Sequence, residues 1–233
     1  MSPRSTEHGQ AMVEFLIIIP VLIILIFGAV QAALIYSAKN GLNYAAFQAA
    51  RIGSMNSAQY TDMRRGLLRG MYPMFSQFPE NERMERTALE VDNFVLITRV
   101  SPSTAMFADY EEDHEDLLGD GETRLAIRNS NLMYHRNDDS DLSLQDANLL
   151  KIRVQYCMRL IVPMVEHLLS SASAFNHRQT VASFREVSRE TTSEYEAVCR
   201  GRRGFVVTSE ATVRMQSPAS YDEDYCGNRM LCP

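Results

Sequence analysis

The apolar residues of this chain are concentrated near one end. From Phe15 to Ala38 there are 24 consecutive residues without a charge, FLIIIPVLIILIFGAVQAALIYSA. As a helix at 1.5 Å per residue this run spans about 36 Å, against about 30 Å of bilayer hydrocarbon. Buried core helices seldom keep such a run beyond about 14 residues, so the pattern predicts a membrane span. The helical pattern then continues in amphipathic form through NGLNYAAFQAARIGSM, with Leu42, Ala45, Ala46, Ala49 and Ala50 on one apolar side. Gly53 with Ser54 supplies a stop. One helix from about Ala11 to Ile52 is expected, half embedded and half lying on a head.

Downstream the pattern is that of an ordinary mixed domain. A helix is expected near Tyr60–Tyr72, where MRRGLLRGMY is basic on one side. PENERMERTALEV leads into a strand over Asn93–Val100, ended by Ser101-Pro102. Leu149–Ile161 alternates and is β-branched, closing at Val162-Pro163, and Phe205–Met215 is a strand of the same kind. Between them His177–Ala197 reads as a polar helix, and Arg200–Gly204 (RGRRG) as a solvated basic turn. The fold class is therefore α+β: a long N-terminal transmembrane and amphipathic helix packed on a globular head with a small antiparallel sheet.

Charge divides along the same line. The whole chain has 23 Lys and Arg against 29 Asp and Glu, a formal −6, and gives no footprint for nucleic-acid phosphates. Residues 1–53 carry Arg4, Lys39 and Arg51 against Glu7 and Glu14, or +1, so the head carries −7. Much of that acidity lies in residues 109–122, DYEEDHEDLLGDGE. An EF-hand loop needs D-x-[DN]-x-[DN]-G with Glu at its twelfth position; neither this segment nor Asp138, Asp139 and Asp141 supplies it. A solvated acidic loop is expected, and no metal.

The segment before the apolar run carries the most specific information. A cleaved secretory signal needs a charged start, an apolar run of about 7–15 residues and a small-residue site after it. Here the run is longer and only Arg4 is basic ahead of it. Residues 9–15 read GQAMVEF, and Glu14 stands at the threshold of the span, where an ionisable group is costly and calls for a role. If the chain is cut after Gly9, the new α-amino group on Gln10 lies one helical turn from Glu14. That ammonium could neutralise Glu14 of its own chain or of a neighbour, and so fix subunit register.

Gly, then Glu at the fifth position after it, then a long apolar helix resembles the processing signal of type IV pilins. The form GQAMVEFLIIIPVLIILIFG, with Gln10 after the cut and Pro20 six residues after Glu14, resembles the TadE-like pseudopilins of tight-adherence pilus systems. Two later stretches are similar as well: a strand ending in a valine–proline turn, and SEATVRM. The resemblance implies a leader over residues 1–9 removed by a prepilin peptidase between Gly9 and Gln10. It implies a stalk over residues 10–53 and a head over residues 54–233 on the periplasmic side of a bacterial inner membrane. It implies other pilin and pseudopilin subunits, the inner-membrane pilus assembly platform and membrane lipid as partners, and a structural rather than enzymatic role without a cofactor.

Other features of the helix fit that frame. Pro20 removes one helical hydrogen bond and is expected to bend the span. Gly28 with Ala32, and Ala29 with Ala33 and Ser37, repeat every four residues, a spacing that permits close helix approach to a neighbour or to the chain's own head. Cys157, Cys199, Cys226 and Cys232 allow three pairings in an oxidising compartment. The short loop favours Cys226 with Cys232, leaving Cys157 with Cys199. His8, His114, His135, His167 and His177 are scattered, and no metal-binding, nucleophile-elbow or phosphate-loop motif is present. An uncleaved, tethered binding or sensing domain is the alternative, and a tethered hydrolase without a sequence signature is a third.

Overall fold

The structure is a computed structural model of the 233-residue chain. It describes residues 8–134, 143–162, 199, 201–202, 204–221, 225–227 and 230–233. The polar stretch 177–197, Asp138, Asp139, Asp141 and His135, His167 and His177 lie outside the described residues.

Helix α1 runs over His8–Met55, 48 residues, beginning and ending three residues beyond the expected limits, with Pro20 inside it. The helix passes through Gly53 and Ser54, the expected stop, and ends where tertiary contacts hold the turn that follows. Ser57 and Ala58 take left-handed backbone angles (φ 54° and 59°), a conformation that costs non-glycine residues energy. The turn is held from outside: Gln216 N–H donates to the Ser54 carbonyl at 2.8 Å, and Ser220 N–H donates to that of Ser57 at 3.0 Å.

Helix α2 (Tyr60–Met71) returns along α1. The contact is built from small residues on both sides. A Cβ on Gly70 would lie 2.3 Å from the Cα of Ala45, and one on Gly66 would lie 2.7 Å from that of Ala49. Glycines four apart on α2 thus meet alanines four apart on α1, and the backbones close to a distance that larger side chains forbid. A short 3-10 turn (Tyr72–Phe75) leads to α3 (Glu80–Phe94). Arg64 of α2 grips Asp92 of α3 through two hydrogen bonds of 2.6 and 2.7 Å, and that bonding raises the guanidinium's pKa.

Strand β1 is Val95–Ser101, so Asn93 and Phe94, expected in the strand, finish α3 instead. The Val95 N–H still donates to Val91, and the Asn93 amide donates to the Leu89 carbonyl at 2.8 Å, which satisfies the last helical turn. After α4 (Thr104–Tyr110) come β2 (Glu111–Glu115) and β3 (Thr123–Ile127). The acidic segment is therefore a hairpin, in correction of the expected loop. Arg128 holds Glu112 at 2.6 Å, and Arg124 holds Asp120 at 2.7 Å and Glu122 at 2.9 Å. Strand pairing with β3, which is half apolar, overrides the poor strand propensity of Asp and Glu.

Helix α5 (Leu144–Ala147), opened by a Ser143–Asp146 capping box, precedes β4 (Leu149–Arg159). Then follow β5 (Gly204–Arg214), β6 (Ala219–Ser220) and β7 (Met230–Leu231). One sheet has the order β5-β4-β1-β7, antiparallel except that β7 lies parallel to β1. The other is the antiparallel set β2-β3-β6. The core lies between the outer half of α1, α2 and the larger sheet. Leu42, Ala45, Ala46, Ala49 and Ala50 are fully buried there with Leu67, Leu150, Ile152 and Val154. The apolar side of α1 expected from periodicity is the side the head covers.

Candidate functional site: the free half of the first helix

The two halves of α1 live in different surroundings. No residue from Met12 to Val30 is buried, and Leu16, Ile17 and Leu25 are each exposed by about two thirds. Large apolar side chains point out all round this half, far more surface than a water-soluble protein leaves uncovered. Its length and composition are compatible with crossing a membrane.

The head begins at Gln31. This residue is completely buried, and its Oε1 accepts a hydrogen bond from the Val162 backbone N–H at 3.1 Å. Further along the same side, Lys39 donates its ammonium to the Thr208 carbonyl. Next, Ser209 Oγ donates to Asn43 Oδ1 at 2.8 Å. The uncharged run read from the sequence is thereby divided. Residues 31–38 stand beside the head, and the free stretch from Met12 to Val30 is about 28 Å of helix, close to the hydrocarbon thickness. The uncharged run over Phe15–Ala38 is thus not free of the head along its whole length, because the Gln31 carboxamide is buried and tied to it.

At the free end, α1 is continuous through Gly9, Gln10 and Glu14, so positions 10 and 14 sit one turn apart on one face. Glu14 and Pro20 are exposed. A Cβ on Gly28 would meet nothing within 4 Å, and Ala29, Ala32 and Ala33 are exposed. The head does not use these small residues; they face outward.

Where the head meets the helix, two devices hold the end of the large sheet. Cys157 and Cys199 form a disulfide with a Cα–Cα distance of 5.6 Å. Gly204 lies against it, since a Cβ there would be 2.3 Å from Cys157 Sγ. Beside it, Arg202 makes two 2.7 Å hydrogen bonds to Glu90 and stacks over the Phe94 ring at 3.7 Å. Tyr156 donates its hydroxyl to Glu90 at 3.3 Å, and burial, with the Glu90 charge, pushes its pKa up. Of the expected basic turn, Arg202 is thus an anchor. An open cleft of about 820 Å³ separates this cluster from Leu34, Ser37 and Ala38 of α1.

The far end of the head is closed by the second disulfide, Cys226–Cys232, beside β7. It covers Arg99, a fully buried arginine set 4.8 Å from the Phe107 ring and 5.5 Å from the Tyr221 ring, donating to the Ser220 carbonyl. Among the described residues no group of three His, Cys, Asp or Glu side chains is placed to hold a metal. Sequence reasoning overlooked Gln31, Arg99 and the Gly66–Gly70 pair. The first and last had a signal: a lone amide in an apolar run, and glycines at the spacing of Ala45 and Ala49.

A single apolar helix, free for its first half and embedded in an α+β head for its second, defines a stalked α+β protein whose stalk is compatible with membrane anchoring. Residues 9–51 match the family model described as TadE-like protein. The match starts at Gly9 and stops within the buried part of α1, so it covers the stalk and associates the chain with tight-adherence pilus subunits. No curated protein and no solved structure matches the chain.

Proposed function

We propose that this chain is a minor pseudopilin: a structural subunit made as a membrane-anchored precursor, cut between Gly9 and Gln10 by a prepilin peptidase, and used in assembling a tight-adherence pilus for surface adhesion. The observation that carries the reading is the free half of α1, which includes Glu14 and follows directly on Gly9 and Gln10. The same apolar surface serves in lipid before assembly and against other pilin and pseudopilin helices afterwards. Gly28, Ala29, Ala32 and Ala33 are the residues that let a neighbouring helix approach closely. Glu14 sets register by meeting a Gln10 ammonium, on its own chain or the next. The head lies in the periplasm, and the assembly platform of the inner membrane takes up the processed chain.

Two measurements test this. Intact mass of protein purified from its host should correspond to a chain beginning at Gln10; a chain that keeps residues 1–9 sinks the processing step. Glu14→Val should abolish piliation and surface adhesion while the precursor still accumulates in the membrane. Normal adhesion in that variant would favour an uncleaved, tethered binding or sensing domain.

A further inference from the structure

We infer that the head has a foot, Arg159 with Ile161, that rests on the surface of the bilayer spanned by the free half of α1. The inference rests on the membrane reading of that half. Its support is the way the chain leaves the large sheet. Beyond the end of β4 the alternation of the strand persists: Leu160 and Val162 are buried at 2% and 8% exposure, while Arg159 and Ile161 face outward. Ile161 is 69% exposed. An isoleucine presented to water in this way gains nothing from the fold, and its buried neighbours fix its direction.

The height of this pair along α1 is set by a hydrogen bond. Val162, next to Ile161, donates its N–H to Gln31, one residue past the last free position of the helix. Arg159 and Ile161 also line the same cleft as Leu34 and Ser37 of α1. Both relations put the pair at the level where the helix leaves hydrocarbon. Their chemistry suits that level. An aliphatic side chain enters the boundary between headgroups and acyl chains, about 5–10 Å deep, and a guanidinium beside it meets lipid phosphates. Ile161 thus extends sideways the apolar surface that begins at Met12. Because the outer half of α1 is already packed into the head, this second contact fixes the tilt of α1, and with it the head's orientation to the membrane, before any partner arrives.

The chain contains no Trp, so a single introduced Trp reports its own depth without background. The full chain carrying Ile161→Trp, or Arg159→Trp as a second reporter on the same side, is placed in phosphatidylethanolamine–phosphatidylglycerol vesicles. Lipids brominated near the top or near the end of the acyl chain serve as quenchers. Leu22→Trp marks the middle of the span, and Tyr44→Trp lies about 20 Å of helix beyond Gln31. Ile161→Trp should emit to the blue of Tyr44→Trp and be quenched about twofold by the shallow bromine, and less by the deep one. Leu22→Trp should show the reverse order, and Tyr44→Trp no quenching. If Leu22→Trp is quenched while both foot reporters emit as in water, the foot is wrong and the span stands. If Leu22→Trp is itself unquenched, the span reading falls and the foot falls with it.

Discussion

The Val162 backbone N–H donates to the Gln31 side chain at 3.1 Å, joining positions 131 residues apart. This bond marks the boundary between the free and the covered halves of α1. From Met12 to Val30 no residue of the helix is buried, and among the described residues the head first engages the helix here.

Gln31→Leu keeps the size and helical preference of the residue and removes the acceptor. The buried Val162 N–H then loses its partner, a loss that costs about 1–3 kcal/mol. Hydrogen exchange at the Val162 amide should speed up by about tenfold or more, while amides of the β4–β5 ladder stay protected. Unchanged exchange at Val162 would show that the bond does not hold the head to the helix.

The crossing of α1 and α2 predicts a contrast between two glycines. Gly70→Ala forces a methyl group to within 2.3 Å of the Ala45 Cα, against backbone on a rigid helix. Overpacking of this kind costs about 1–3 kcal/mol, or a few degrees in the midpoint of thermal unfolding of the detergent-solubilised chain. Gly28→Ala has open space around it, so the head should unfold at the wild-type temperature. Equal effects from the two substitutions would contradict the assignment of Gly28 to the free half.

Gly204 is the residue that admits the Cys157–Cys199 bridge. With a methyl group 2.3 Å from one sulfur and 3.0 Å from the other, Gly204→Ala should disfavour closure. Protein prepared without reductant should then show labelling of Cys157 and Cys199 by a thiol reagent, with Cys226 and Cys232 still protected. The accompanying loss of stability should approach that of Cys157→Ser, about 2–4 kcal/mol.

Glu210 predicts the direction of an acid effect. Partial burial pushes its pKa up, but hydrogen bonds from Arg153 at 2.6 Å and Lys151 at 3.1 Å outweigh this, and the net shift is downward. A carboxyl lowered in the folded state stabilises the fold above its unfolded value of about 4.3, and that stabilisation is lost as pH falls through the lower folded value. Glu210→Gln should therefore unfold at a lower temperature than wild type at neutral pH. The gap should close below the folded pKa. Because Glu210 and Lys151 are each more than a third exposed, the neutral-pH difference should stay under about 1 kcal/mol and shrink in high salt. A gap that widens on acidification would refute the sign.

What the sequence determined by itself was the stalk and the strongest strands. The unbroken apolar run, the GQAMVEF lead-in and the alternation of β4 and β5 are local patterns, and local geometry is enough to read them. The acidic hairpin, the short β6 and β7 and the two-residue shift at the start of β1 were not legible in this way. Each depends on pairing with residues far away in the chain, and strand preference follows such neighbours more than composition. The same holds for the site. Gly9, Gln10 and Glu14 could be named from spacing, but where the helix becomes free could not. An uncharged run looks the same whether it ends in lipid or against protein. Only the head, by burying Gln31 and leaving Val30 uncovered, decides which part remains for the membrane or for other helices.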